Sequence, residues 1–250
     1  MRLSVVIPAR NEEKCIETTV RDLHAMLFQE SIDHEIVVVN DNSEDGTELI
    51  LGNLGREIST LRSVNNDPPG GFGLAIGLGL ERCTGEAVAT YMADGSDRPE
   101  DLARFFAALR EKNVDCVFGT RFSTSSRVIN YPIPKLILNR LGNKLIQILF
   151  GLRYNDVTNA FKLYRREVIQ GLLPLLSHHY NMTVELPLKA IIRGYSYVVL
   201  PNDWTNRKLG QSKLKIEEMG SRYIFIILYC FLEKLLSRGD YRKGKRGHSS

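Results

Sequence analysis

The sequence predicts a doubly wound α/β fold with a mostly parallel sheet, and three observations carry the prediction. Short β-branched runs alternate with helix-period segments through the first half of the chain. The second run, residues 34–39, is apolar on both faces after Glu35, which suits a strand covered by helices on both sides. Polar loops follow the first, second, fourth and fifth runs, and three of those four supply acids. Ligands of open α/β sheets bind at that carboxyl edge.

Taken in order, residues 3–7 form a β-branched strand stopped by Pro8. A helix is expected over 12–28, with Ile16, Val20, Leu23 and Leu27 on one face. After the strand 34–39 come a helix over 45–54, a weak strand over 60–64 and a glycine-spaced helix over 73–83. A strand over 87–92, a helix over 100–112 and a strand over 114–119 complete the alternation, which implies right-handed βαβ units. The second half is richer in helix. A polar loop, 121–131, leads to a helix over 135–150, then a segment 156–164, a helix near 181–193 and a strand over 195–200. A basic loop spans 204–215 and an apolar helix about 219–236. The expected domain plan is one α/β domain over 1–214, an apolar helix over 215–237 and a basic, disordered tail over 238–250.

Composition narrows the class. With 250 residues, 43% of them apolar, the chain can bury a sizeable core. A net charge of +4 excludes a strongly basic nucleic-acid binder. Cys15, Cys83, Cys116 and Cys230 are scattered, with no CxxC spacing, as expected of reduced thiols in the cytosol. The apolar stretch 3–7 is too short for the core of a signal peptide.

Phosphate cradles of the GxGxxG and GxxxxGK[ST] kinds are absent after the first strand. Gly70-Gly71-Phe72-Gly73 precedes a helix but follows a poor strand. Carboxylates at strand ends point instead to a divalent cation bridging acids to a diphosphate. The acids so placed are Glu12 and Glu13 after the first strand, Asp41, Glu44 and Asp45 after the second, and Asp94, Asp97 and Glu100 after the fourth. Asp45 and Ser43 are equally suited to capping the second helix, Asp97 to capping the fourth, and Glu13 to the dipole of the first.

At this point the chain resembles the family-2 glycosyltransferases of the GT-A fold. The resemblance rests on residues 4–13, 37–47, 92–99 and Gly119-Thr120-Arg121-Phe122. Residues 156–167 and 207–214 are similar to the dolichyl- and polyprenyl-phosphate hexosyltransferases. The resemblance implies a nucleoside pocket lined by Pro8, Ala9, Asn11, Glu12 and Asp41. It implies a Mg²⁺ or Mn²⁺ ion at Asp94 and Ser96, assisted by Asp97. It places Arg121, Lys135 and Arg140 near the acceptor phosphate, and Arg207 and Lys213 in a loop closing over the leaving diphosphate. The family pattern has Asp-x-Asp where this chain has Met92-Ala93-Asp94, so one expected carboxylate is missing. Mg²⁺ needs only one or two protein carboxylates when phosphate and water complete its shell.

The implied reaction is an inverting transfer of a hexose from GDP-mannose or a UDP-hexose to a polyprenyl or dolichyl phosphate. A lipid phosphate is ionised near neutral pH and needs no strong base; a hydroxyl acceptor would want one, with Asp97 or Glu185 the candidates. Two rival readings are a nucleotidyltransferase using Gly70–Gly73 and a non-catalytic nucleotide-binding relative, the latter suggested by Met92. Residues 223–232 are uncharged, too few for a spanning helix of about 20. Strand-period alternation puts Met92 and Asp94 on one face. With the basic tail, the apolar helix leads us to expect a peripheral protein on the cytoplasmic face of a membrane, or one docked to a membrane-embedded partner.

Overall fold

The computed structural model describes residues 1–206 and 216–244, and for 216–219 the backbone only. Its strands are β1 (Leu3–Ala9), β2 (His34–Asn40), β3 (Leu61–Asn65), β4 (Ala87–Thr90), β5 (Cys116–Thr120), β6 (Val128–Ile129), β7 (Lys162–Arg165), β8 (Tyr197–Pro201) and β9 (Trp204–Thr205). Its helices are α1 (Ile16–Gln29), α2 (Thr47–Glu57), α3 (Phe72–Arg82), α4 (Pro99–Glu111), α5 (Ile133–Phe150), α6 (Arg166–Leu172), α7 (Met182–Ile192) and α8 (Ile216–Leu236).

Seven strands form one sheet in the order β3-β2-β1-β4-β7-β5-β8. All pairings are parallel except the two made by β7, which runs antiparallel between β4 and β5. The alternation of side chains along each strand divides the core in two. Val6, Val37, Val39 and Phe118 face the layer containing α3, α7 and α8. Leu3, Val5, Ile7, Ile36 and Val38 face the layer containing α1, α2 and α4. Strand order reverses between β1 and β4, so the loops after these two strands open a crevice there. Because β7 is antiparallel, its lead-in, residues 156–161, reaches the same edge.

β7 is a departure from the expected pattern, since Phe-Lys-Leu-Tyr-Arg does not read as a central strand. Lys162 is tolerated in the sheet because its ammonium donates to the carbonyls of Val157 (3.0 Å) and Thr183 (3.1 Å). Burial draws its pKa down to about 7, against an opposing pull from Asp156. The strand expected over 87–92 ends at Thr90, and the chain turns at Ala93 and Asp94. Strand alternation therefore does not relate Met92 to Asp94.

The segment after α8 corrects the expectation of a tail disordered from residue 238. Lys243 donates its backbone N–H to the Arg193 carbonyl at 2.8 Å, and its ammonium reaches both oxygens of Asp115 at 2.8 and 3.0 Å. Arg193 is itself clamped by Glu233 at 2.7 and 2.9 Å. Residues through Gly244 are thus strapped onto the domain; Lys245 and Arg246 lie outside the described residues.

Candidate active site

The loops after β1 and β2 are stitched together by short polar side chains. Asn11, in the left-handed region at φ +52°, accepts the N–H of Glu44 at 2.7 Å and donates its own to Ser43 Oγ at 2.9 Å. Glu12 is buried and donates its N–H to Thr47 Oγ1. Glu13 lies before α1 and accepts from Gly46 N–H at the start of α2, so its charge favours that helix rather than its own. Asp45 accepts from the N–H and hydroxyl of Thr47, the capping role open to it from sequence. Pro8 and Ala9 complete a buried floor at the end of β1.

Asp41 is 4% exposed and organises the next loop. Its carboxylate accepts the Gly71 N–H at 3.0 Å on both oxygens and Asn66 Nδ2 at 2.8 Å. Gly73 and Leu74, at the start of α3, donate to the carbonyl of His178 at 3.0 and 3.3 Å. These N–H donors are taken, which removes the phosphate cradle that a nucleotidyltransferase reading of Gly70–Gly73 needs. The contact also brings the 176–181 loop, which carries no signal in the sequence, against the loop that Asp41 organises. Glu185 holds that loop: it accepts from Leu176 N–H and Ser177 N–H at 2.8 Å and pairs with Lys189 at 2.5 Å, wholly buried. It is neither a solvated helix residue nor an acid open to an acceptor.

Asp94 stands at the turn beyond β4, half-buried, and accepts the Ser96 N–H at 3.1 Å. Ser96 is buried and its carbonyl accepts Thr205 N–H. Asp97 is 5% exposed, and its Oδ2 has no hydrogen-bond partner. Burial and the neighbouring Asp94 charge push its pKa up to about 7, while Arg121 and the Met92 N–H pull the other way. Asp97 does not cap α4, whose N-cap is Arg98 with no side-chain hydrogen bond. Its backbone instead bridges Trp204, and its carbonyl accepts the Tyr91 hydroxyl. The oxygen-only set of Asp94, Ser96 and Asp97 suits a hard divalent cation. No group of three or more His, Cys, Asp or Glu able to hold a metal exists among the described residues, so water and phosphate oxygens would have to complete its shell.

Arg121 is drawn into a buried ion pair. Its Nε, one terminal nitrogen and its backbone N–H all donate to Asp156. Phe122, Tyr131 and Trp204 surround the guanidinium with ring centroids 5.4–5.8 Å away. Arg140 covers Phe122 at 4.6 Å. Arg121 and Arg140 therefore meet through one aromatic ring; Lys135, a turn and more before Arg140 on α5, is half-buried. Asp156 and the aromatic group carry no sequence signal beyond lying in the segments quoted above. Arg207 and Lys213 lie outside the described residues.

The family model for glycosyl transferase family 2 matches residues 4–173. The chain is 32% identical over 221 residues to the polyprenol monophosphomannose synthase of Mycolicibacterium smegmatis, covering 85% of this chain and 81% of that protein. It is 29% identical to the undecaprenyl-phosphate mannosyltransferase of Micrococcus luteus, with 86% and 88% covered. Among solved structures it resembles glucosyl-3-phosphoglycerate synthase from Mycobacterium tuberculosis in complex with Mn²⁺, uridine-diphosphate and phosphoglyceric acid. The TM-score is 0.70 at 19% identity, over 92% of this chain and 78% of the other. The same enzyme with uridine-diphosphate gives 0.69 at 18%, over 92% and 79%. The sheet and its helices are those of the GT-A glycosyltransferases.

Proposed function

The chain belongs to glycosyl transferase family 2, and from that premise we propose that it moves a hexose, with inversion, from a nucleotide-sugar to a polyprenyl or dolichyl phosphate. The observation that supports this most is the match, across most of both chains, to two enzymes named for mannosyl transfer to polyprenyl phosphates. GDP-mannose or a UDP-hexose is the donor.

In this reading Pro8, Ala9, Asn11 and Glu12 border the nucleoside, and Asp41 accepts from base or ribose. Asp94, Ser96 and Asp97 hold a Mg²⁺ or Mn²⁺ ion, which supplies neutralising charge to the diphosphate. The structural relatives crystallised with Mn²⁺ and uridine-diphosphate fit that assignment. Arg207 and Lys213 neutralise the leaving group. Lys135 and Arg140 attract the acceptor phosphate. Arg121, saturated by Asp156, acts by fixing the Phe122, Tyr131 and Trp204 rings beside it. An ionised phosphate nucleophile needs no general base, consistent with the occupied state of Glu185. The protein works at the cytoplasmic face of a membrane, as a peripheral protein or on a membrane-embedded partner. No helix among the described residues is long and apolar enough to cross a bilayer.

The test is a donor panel: GDP-mannose and several UDP-hexoses, each with polyprenyl phosphate and Mg²⁺ or Mn²⁺, read as lipid-extractable label. Transfer from one donor, dependent on the cation, is expected. Transfer only to a saccharide hydroxyl, or donor binding without turnover under every condition, overturns the reading.

A further inference from the structure

Large apolar side chains are concentrated on one part of the surface. Nineteen such side chains stand exposed among the described residues, and twelve of them lie on α5 and α8. Scattered exposed Leu or Ile is ordinary; a contiguous patch is not.

On α5 the exposed set includes Ile133, Ile137, Leu141, Leu145 and Ile148, spaced by four, four, four and three residues. That spacing forms one stripe. The buried residues Asn143, Ile146 and Phe150 lie on the opposite side. α5 therefore has two apolar faces, one packed on the domain and one open. On α8, Ile224, Phe225, Leu228, Leu232 and Leu235 form a second open stripe, opposite the buried Ile226, Ile227 and Cys230. The two helices lie side by side. Phe150 and Phe231 meet edge to face at 5.9 Å, and Lys234 donates to the Phe150 carbonyl at 2.9 Å. At the start of α5, Tyr131 stands two residues before Ile133 with its ring centroid 5.6 Å from the Arg121 guanidinium. The apolar surface thus begins beside the Arg121 cluster of the candidate site.

Charge says what covers this surface. α5 carries Lys135, Arg140 and Lys144 and no acid in eighteen residues. Lys144 and Arg140 are exposed, on the same side as Ile133 and Ile137. On the described side chains of α8 the acid, Glu233, is turned inward onto Arg193. A face with aliphatic residues and outward cations repels a second copy of itself in a two-fold pairing and suits phosphate headgroups over acyl chains.

We propose that α5 and α8 together seat the protein on an anionic bilayer, with α5 supplying the preference for negative lipid. The proposal deepens the polyprenyl-phosphate reading and rests on it for its purpose, while its geometry is independent of the reaction. It adds α5 as a source of electrostatic attraction besides the C-terminal segment, where Lys243 is paired with Asp115.

The experiment is vesicle sedimentation of the full chain with phosphatidylcholine, alone and mixed with phosphatidylglycerol. Leu141→Glu/Leu145→Glu changes two residues that are 64% and 51% exposed, so its circular dichroism and urea midpoint should match wild type. The double variant is expected to lose binding to mixed vesicles by about tenfold or more. Lys144→Glu should weaken binding at low salt and match wild type at high salt. Both variants should turn over a water-soluble short-chain polyprenyl phosphate at the wild-type rate, and the double variant should fail on the vesicle-borne acceptor. A wild-type protein that stays in the supernatant with both vesicle types overturns the proposal. So does a double variant that sediments like wild type, or a wild-type dimer that ignores vesicles and is made monomeric by the double substitution. A protein that binds vesicles but transfers to neither acceptor keeps its docking face and loses the proposed reaction.

Discussion

Asp156 grips Arg121 at two points, 2.9 Å from Nε and 2.7 Å from a terminal nitrogen, and takes the arginine's backbone N–H at 2.8 Å as well. Both side chains are sealed from water, at 8% and 0% exposure. The pair joins the end of β5 to the lead-in of β7 and takes up the guanidinium that the resemblance places near the acceptor phosphate.

Removing one partner of such a pair leaves an uncompensated buried charge. Asp156→Asn should therefore destabilise the protein by about 3–5 kcal/mol. Arg121→Leu/Asp156→Leu should cost less than the single change. Urea midpoints of the three proteins check this; an Asp156→Asn protein with the wild-type midpoint would show the pair to be dispensable.

Asp94 is half-buried and accepts the backbone N–H of Ser96, two residues on. Asp94→Ala should leave the urea midpoint within about 1 kcal/mol of wild type. It should abolish both turnover and the Mn²⁺-dependent part of donor binding measured by calorimetry. Asp94→Asn, which keeps the shape, should share the loss of metal dependence. Full turnover in the alanine variant would remove Asp94 from the site.

Asp97 gives a pH signature. Its carboxyl rises from an ordinary 3.8 to about 7 in the folded protein, chiefly through burial. The folded state then binds more protons than the unfolded chain between those values, so this group makes stability fall as pH rises from about 4 to about 7 and adds no slope above. Asp97→Asn removes the slope. The stability difference between that variant and wild type should grow across this window, read as urea midpoints at each pH. A constant difference from pH 4 to pH 8 would contradict it.

Gly71 links Asp41 to the 176–181 loop. Its φ is +143°, and a Cβ there would sit 2.6 Å from the His178 carbonyl oxygen. Gly71→Ala should cost about 1–3 kcal/mol in stability. It should weaken nucleoside-diphosphate affinity more than it lowers kcat, because the N–H that orders Asp41 is displaced. Unchanged affinity together with unchanged stability would uncouple the two loops.

What could be read from the sequence was what depends on near neighbours. Runs of Val and Ile marked β1 and β2, and their polar sequels placed Asp41 and Asp94 at the carboxyl edge, because period and punctuation are local properties. Missing from that reading was β7, whose Lys162 and Arg165 look like surface residues until the carbonyls of Val157, Thr183 and Val114 accept them.

The sequence by itself determined that the chain would form a layered α/β sheet with acids at one edge, since alternation between strand and helix periods leaves few other ways to bury both faces of each strand. Only the tertiary structure decided which charges stay available there. Arg121 found Asp156, thirty-five residues away, and Lys243 found Asp115, 128 residues away. Only the structure, likewise, left one apolar face of α5 uncovered. The reason is physical: partner choice for a charge or an apolar face depends on which distant elements the fold packs beside it, and residue spacing along the chain does not encode that distance.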